Sequence, residues 1–295
     1  MAEPTIPIDD LDLFCHGLDH SEGITVTPEG TIYVGGEAGQ IYRVEPDGTP
    51  TQVHTTGGFL LGLSCDRDGN VYAIDSAGPC VWRVDPRTGS QERFFDGLPD
   101  RPARVPNWGA FDEAGNYYVT DSGAWGACDG LIWLRRAGGE VAVFSEESRN
   151  FPNGCFVSAD GRTLWVVESY PSALVRFAIG ADGTAGPREH LCDLGLAVPD
   201  GVALCEDGSA IISCYRPDTV FRWTPGMREP GDLEVFATDP RGTALAAPTN
   251  IVFTGPGRNE MVMPNLGRWH LTRIRSEHVG VPLRYPTRGQ IDGNG

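Results

Sequence analysis

Glu22, Asn107, Asn153 and Asp200 stand at equivalent points of one repeating pattern, and all four offer side-chain oxygens. The pattern is clearest from Pro199 to Gly208, where Asp200 opens a short apolar run that a glycine closes eight residues later. Counting back eight from Gly30, Gly69, Gly115, Gly161 and Gly208 gives Glu22, Leu61, Asn107, Asn153 and Asp200, and a looser sixth copy begins at Thr249 or Asn250. Two carboxylates and two amide oxygens make a donor set for a hard divalent cation, with a charge of −2 to balance it and positions left for water or substrate. The bland alternative is that Asn153-Gly154 and Asp200-Gly201 are turn dipeptides. It accounts for each singly, but not for four coincident copies that include a glutamate.

The copies recur every 39 to 50 residues, the period of β-propeller blades. After each closing glycine comes a strand rich in Val, Ile, Tyr and Trp, such as Asn70 to Ile74 or Ser209 to Ser213. A second apolar-basic-apolar strand follows, such as Val81-Trp82-Arg83-Val84, and then a turn and a more polar strand. Four strands per unit predict an all-β, six-bladed propeller of antiparallel blades. The sixth unit lacks its last strand while Leu11-Asp12-Leu13-Phe14 is unclaimed, so the N-terminal segment is expected to close the ring and remove an exposed edge. Residues 1–295 read as one domain, with 1–10 and about 281–295 as weakly structured tails.

In such a ring the first strand of each blade lines the central channel, so the six copy starts converge at one face. Loops between second and third strands open on the same face, bringing Glu37, Asp75, Asp121 to Asp129 and Arg216 near the rim. Arg104, Trp108, Trp125, Tyr170, Tyr215, Trp269 and His270 are the expected substrate-contacting walls around a floor of Glu22, Asn107, Asn153 and Asp200.

A net charge of −17 argues against nucleic acid and anionic membrane as partners, because both need a basic face. No basic segment precedes an apolar one at the N-terminus, and no apolar run approaches the ~18 residues of a membrane span, so the expected location is the cytoplasm. Eight cysteines without a CxxC pair read as reduced core thiols. Nucleophile-elbow, zincin, phosphate-loop and dinucleotide-binding motifs are absent, and the six histidines show no ligand spacing.

Ser21-Glu22-Gly23, Pro152-Asn153-Gly154 and Pro199-Asp200-Gly201-Val202-Ala203 resemble the gluconolactonase, regucalcin (senescence marker protein) and luciferin-regenerating-enzyme family of six-bladed propellers, from about Leu11 to Arg275. The resemblance implies one divalent metal held by Glu22, Asn153 and Asp200, with Asn107 beside metal and substrate and Asp200 as general base. Ca²⁺ is the first candidate, with Zn²⁺, Mn²⁺ and Mg²⁺ as alternatives, and a small-molecule lactone or ester is the implied substrate. The family commonly has Asn-Asp-Gly in the third blade with an arginine two residues earlier. Here Asn107-Trp108-Gly109 follows Arg104, three residues before Asn107, which favours a bulkier or more apolar ester over a sugar lactone. Phosphotriester hydrolysis, a non-hydrolytic reaction on the same ligands, or a non-catalytic calcium-binding propeller are the alternatives, and the oligomeric state, monomer or dimer, is left open.

Overall fold

The computed structural model describes residues 3–294. An N-terminal strand, β1 (Asp12–His16), precedes the first blade, which contains β2 (Ile24–Val26), β3 (Ile32–Gly35), β4 (Gln40–Val44) and β5 (Pro50–Thr55). Blade two comprises β6 (Leu60–Cys65), β7 (Val71–Asp75), β8 (Cys80–Asp85) and β9 (Ser90–Phe95), and a small hairpin of β10 (Gly97–Leu98) and β11 (Arg101–Pro102) follows. Blade three is β12 (Pro106–Phe111), β13 (Tyr117–Asp121), β14 (Leu131–Arg135) and β15 (Val141–Ser145). Blade four is β16 (Pro152–Val157), β17 (Thr163–Ser169), β18 (Ser172–Ala178) and β19 (Glu189–Asp193). Blade five is β20 (Val198–Leu204), β21 (Ala210–Arg216), β22 (Thr219–Trp223) and β23 (Glu234–Thr238), and β24 (Val252–Thr254), β25 (Glu260–Pro264) and β26 (His270–Arg275) begin the sixth. The N-terminal strand completes that blade: β1 pairs antiparallel with β26, Asp12 opposite Arg273 and His16 opposite His270. The protein is therefore an all-β six-bladed propeller closed through its N-terminal strand.

The repeat's closing glycines have a conformational reason. Gly69, Gly115 and Gly208 turn the first strand of a blade into its second at φ of 82°, 91° and 83°, a region that side chains other than glycine's rarely tolerate. In blades two and three the same turn is capped by a carboxylate: Asp66 Oδ1 accepts from the Asp68 and Asn70 amides, and Asp112 repeats the arrangement with Ala114 and Asn116.

Packing lies between blades rather than inside them. Among the described residues six apolar clusters form, one in each seam between neighbouring blades, which is why middle strands such as β7 and β13 are buried on both faces. Trp133 and Tyr72, both wholly buried, fill the seam of blades two and three; truncating Trp133 to Ala there costs about 3–5 kcal/mol.

Both terminal segments depart from the expectation of weak structure. Residues 1–2 and 295 lie outside the described residues, but the Thr5 and Ile6 amides donate to Val235 and Phe236 along the edge of blade five. At the other end the chain crosses the face opposite the copy starts. The Val281 amide donates to Leu204 O, Tyr285 Oη to Val26 O, and the Arg67 amide to Pro286 O. A final helical turn, α1 (Arg288–Ile291), capped by Thr287, then inserts Ile291 beneath the seam of blades two and three. Burial of Val281 and Ile291 against the blade ends holds this segment, a tertiary effect that leaves no periodic trace in sequence.

Candidate functional site

The six copy starts lie at one end of the channel. Asn107, Asn153 and Asp200 sit within β12, β16 and β20, Leu61 within β6, and Glu22 and Asn250 just before β2 and β24. Each is between 3 % and 7 % exposed. The antiparallel registers put them level with the ends of the second strands, Pro106 opposite Asp121, Pro152 opposite Glu168 and Val198 opposite Arg216.

Asn153-Gly154 and Asp200-Gly201 are not turns. Both glycines lie inside strands and neither has a positive φ. They are glycines because the inner strands converge: a Cβ on Gly154 would stand 2.5 Å from Asp200 O, one on Gly201 2.5 Å from Thr249 O, and one on Gly62 2.7 Å from Asn107 O. Each of these glycines thus abuts the backbone of the next copy start around the ring. Blades three and six depart, with Trp108 and Ile251 in that place.

This convergence buries two carboxylates together. Burial raises the Glu22 carboxyl well above the usual range, and the negative charges of Asp200 and Glu37 push it further. Burial also pushes the Asp200 carboxyl up to about 8, against the Asn153 amide beside it, which lowers it. Asp200 Oδ1 is buried with no hydrogen-bond partner, as is Ser21 Oγ next to Glu22. Among the described residues neither carboxylate has an ion pair, and Arg104, three residues before Asn107, pairs with Asp129 at 2.5 Å instead. Two buried carboxylates without a counter-charge, one with an orphaned oxygen, fit a divalent cation that the polypeptide does not replace with a cation of its own. No three His, Cys, Asp or Glu side chains group for a metal among the described residues, so amide oxygens would have to complete the donor set.

Those amides are held. Asn107 Nδ2 donates to Ser122 Oγ (3.0 Å) and Asn153 Nδ2 to Ser169 Oγ (3.3 Å). Across the seam that closes the ring, Thr249 Oγ1 (2.8 Å) and Asn250 Nδ2 (3.1 Å) both donate to the Glu22 carbonyl. Thr249 and Asn250 belong to the sixth copy start that the sequence marks, but Ser122 and Ser169 escaped the sequence reading. Their signal was present as an acidic-serine dipeptide ending the second strand of three successive blades: Asp75-Ser76, Asp121-Ser122 and Glu168-Ser169.

The expected wall residues divide. Trp125 (55 % exposed) stacks on Tyr170 (53 %) with ring centroids 5.3 Å apart and meets Phe151 edge-on at 5.0 Å, two residues before Asn153. Trp269 (57 %) meets His20 edge-on at 5.6 Å, two residues before Glu22. Phe151 and His20 both adopt positive φ, 57° and 36°, a local strain placed beside the proposed ligands at two separate blades. Tyr215 lies under the Arg216 guanidinium, 4.6 Å from its ring centroid. Trp108 is not on the mouth. It lines the channel below the ring, against Gly62 and beside a cavity of about 40 Å³ that Leu283 and Arg284 close from the opposite end. His270 is on the third strand of blade six, two strands out from the channel, buried with Nε2 3.1 Å from Ala244 O; burial lowers its pKa. Asp75 and Asp121, expected at the rim, are spent on the fold: Asp121 accepts from the Arg104 and Val105 amides and Trp133 Nε1, and Asp75 from the Phe59 amide and Trp82 Nε1.

A family model described as the SMP-30/gluconolactonase/LRE-like region matches residues 20–265. No curated protein matches the chain by sequence. Among solved structures, a gluconolactonase from Xanthomonas campestris superposes with a TM-score of 0.74 at 17% identity, covering 90% of this chain and 89% of that one. A luciferin-regenerating enzyme gives 0.72 at 15%, with 91% and 96% covered. A calcium-binding protein, regucalcin, from Agrobacterium tumefaciens strain C58 gives 0.67 at 18%, with 94% and 95% covered. At these identities the likeness is one of fold. Among the described residues no helix is long and apolar enough to cross a membrane.

Proposed function

We propose, from the premise that this chain belongs to the SMP-30/gluconolactonase/LRE-like family, that it is a divalent-metal-dependent hydrolase that opens a lactone or related ester. The observation that carries this reading is the pair of buried, mutually repelling carboxylates, Glu22 and Asp200, with an unpartnered Asp200 oxygen and, among the described residues, no basic side chain to neutralise them. Glu22, Asn153 and Asp200 would hold the ion, Ca²⁺ in the first place, with Asn107 beside it. A bound divalent cation supplies the positive charge that keeps both carboxylates ionised and a Lewis acid against which an ester carbonyl is polarised.

Asp200 is the residue of the ring that combines an oxygen free of protein donors with the ability to take a proton, so it serves as the general base toward an attacking water. Asn107 can hydrogen-bond the substrate. Trp125 and Tyr170 on one side, Trp269 on the other, and Tyr215 between them offer flat apolar faces to the part of the substrate that does not react. Arg104, committed to Asp129, contributes from the periphery, and Trp108 shapes the floor from below. His270, its Nε2 occupied by Ala244 O, shapes the blade-six wall. The reading keeps the protein in the cytoplasm, in line with eight unpaired cysteines, seven of them buried. The test is a pH-indicator hydrolysis screen over sugar, aliphatic and aromatic lactones, with chelator, Ca²⁺, Mg²⁺, Mn²⁺ and Zn²⁺ in parallel. Turnover that chelator abolishes and one of these ions restores supports the reading. A phosphotriester panel that is cleaved while every lactone is left intact would replace it.

A further inference from the structure

Hydroxyl groups run around the inner face of blades three to six, each tying one blade to the next. Ser122 Oγ donates to Pro152 O (2.8 Å), Ser169 Oγ to Pro199 O (2.7 Å), Ser213 Oγ to Thr249 O (2.7 Å) and Thr249 Oγ1 to Glu22 O (2.8 Å). All four hydroxyls are on residues no more than 1 % exposed. In every case the acceptor is the backbone carbonyl of a copy start or of the residue just before it.

A hydroxyl has a single proton. In Ser122 and Ser169 that proton is committed to a proline carbonyl, which can only accept, so toward its own blade the serine oxygen can offer only a lone pair. The amide facing it must therefore present NH₂, and Asn107 and Asn153 do, at 3.0 Å and 3.3 Å. This arithmetic settles an orientation that amide side chains leave open, since their oxygen and nitrogen are alike in shape. With one N–H on the serine, Oδ1 and the second N–H remain for the ring side, where the Asn153 amide also stands beside Asp200 and lowers its carboxyl. Blade five provides the contrast. Its ring residue is Asp200, which has no N–H to give, and there Ser213 Oγ accepts from the Gly201 backbone amide instead (3.2 Å).

We propose that Ser169 and Ser122 are positioning residues for the cation site, latching neighbouring blades together while holding Asn153 and Asn107 by one N–H, so that an entering cation meets their carbonyl oxygens. The proposal rests on the cation-site reading above and adds to it the groups that decide whether the amides act as ligands or as donors that repel the ion. Removing either hydroxyl frees the amide to rotate, and a cation then meets NH₂ for part of the time.

The test compares Ser169→Ala, Ser169→Thr and Ser213→Ala with the wild type by calorimetric titration of chelator-stripped protein with Ca²⁺ alone, alongside thermal melts without metal. Both alanine variants lose one inter-blade hydrogen bond, so a merely structural role lowers their melting temperatures alike and leaves their affinities alike. The expected result is a Ca²⁺ affinity about 10–100-fold weaker in Ser169→Ala, the scale of losing a partner that orients a metal ligand. Ser169→Thr, which keeps the hydroxyl, should restore affinity, and Ser213→Ala should remain near wild type. Wild-type affinity in Ser169→Ala, or an equal loss in Ser213→Ala, overturns the proposal. Should the wild type itself take up none of Ca²⁺, Mg²⁺, Mn²⁺ or Zn²⁺, the cation reading fails, and the orientation is judged by NMR of metal-free protein carrying ¹⁵N-asparagine. The Asn153 side-chain NH₂, identified by its loss in Asn153→Asp, should exchange slowly in wild type and fast in Ser169→Ala; equal exchange overturns the positioning role.

Discussion

Glu168 and Asp200 are both buried carboxylates in neighbouring blades, and they are treated in opposite ways. Glu168, wholly buried at the end of β17, accepts from Ser148 Oγ (2.8 Å), Asn150 Nδ2 (3.0 Å) and both Nε and Nη2 of Arg188 (3.2 and 2.8 Å). Asp121 and Asp75 are satisfied likewise by backbone amides and an indole N–H. Asp200 is left with an oxygen that nothing among the described residues meets, facing a second carboxylate, Glu22, that repels it. Burying charge is costly unless it is paired. The same fold satisfies Glu168 with four donors and leaves Asp200 short, the contrast on which the proposed cation site rests. The two classes thus differ: Glu168, Asp121 and Asp75 pin the segments that enter their blades, whereas Glu22 and Asp200 are the pair that the proposed function assigns to a cation.

The comparison is broken most sharply by neutralising one member of each class. Asp200→Asn should lower kcat at saturating metal by about 10²–10⁴, the scale of losing a positioned base, while the metal-free protein melts no lower than wild type because a repulsion has been relieved. Glu22→Gln, by contrast, should weaken metal binding first and recover activity with excess metal. Steady-state kinetics with metal titration separates the two, and a full kcat in metal-saturated Asp200→Asn would reduce Asp200 to a ligand.

In the satisfied class, Arg188→Met strands the Glu168 carboxylate. The expected loss is about 3 kcal/mol in urea unfolding, as for other buried pairs broken from one side, with Ca²⁺ affinity unchanged. An equally large loss of metal binding would mean that the two classes are not separate.

A pH series sharpens the same contrast. The carboxyls of Asp200 and Glu22 are raised in the folded protein, so between the ordinary carboxylate range and about pH 8 the folded state holds more protons than the unfolded state. Metal-free stability should therefore fall as pH rises through that window and be fully retained below it. Melts from pH 5 to 8.5 in chelator should show this slope in wild type and a shallower one in Asp200→Asn; the same slope in both would show that the pair is not the source.

The smallest expected effect belongs to the rim. Trp125→Ala removes an exposed ring, so stability should hardly change, while KM for an aromatic lactone rises several-fold and kcat is kept, as when a contact shared by ground and transition states is lost. An unchanged KM would place the Trp125–Tyr170 stack outside the substrate's reach.

The blades and the ring were legible in sequence because each propeller unit reuses one pattern: the glycine that must turn at positive φ, the apolar run and the residue that opens it. The closing strand was legible as an absence, since the last unit lacked a strand that the N-terminus could supply. Less visible was why Gly154 and Gly201 are glycines, because the close approach of one inner strand to the next appears only in three dimensions. Val281, Leu283 and Ile291 carry no period, as they cover blade ends rather than line a strand. Trp108 reads as a loop residue on sequence, yet it pairs with Thr120 inside β12, just after the bulge at Asn107, and packs against Gly62. His270 shows a related limit of sequence, because it opens the third strand of its blade, two strands out from the channel.

The central claim, that the Glu22–Asp200 pair is a cation site whose charge the chain leaves unbalanced, is tested most directly by calorimetric titration of chelator-stripped protein with Ca²⁺ near pH 7 in two buffers of different ionisation enthalpy. With the Asp200 carboxyl pushed up to about 8, the metal-free pair holds a proton that an entering cation must displace. The account expects one ion per chain, protons released on binding, and a smaller release in Asp200→Asn, where only the buried Glu22 carboxyl remains to lose one. Binding without proton release, or the same release from Asp200→Asn, would contradict it.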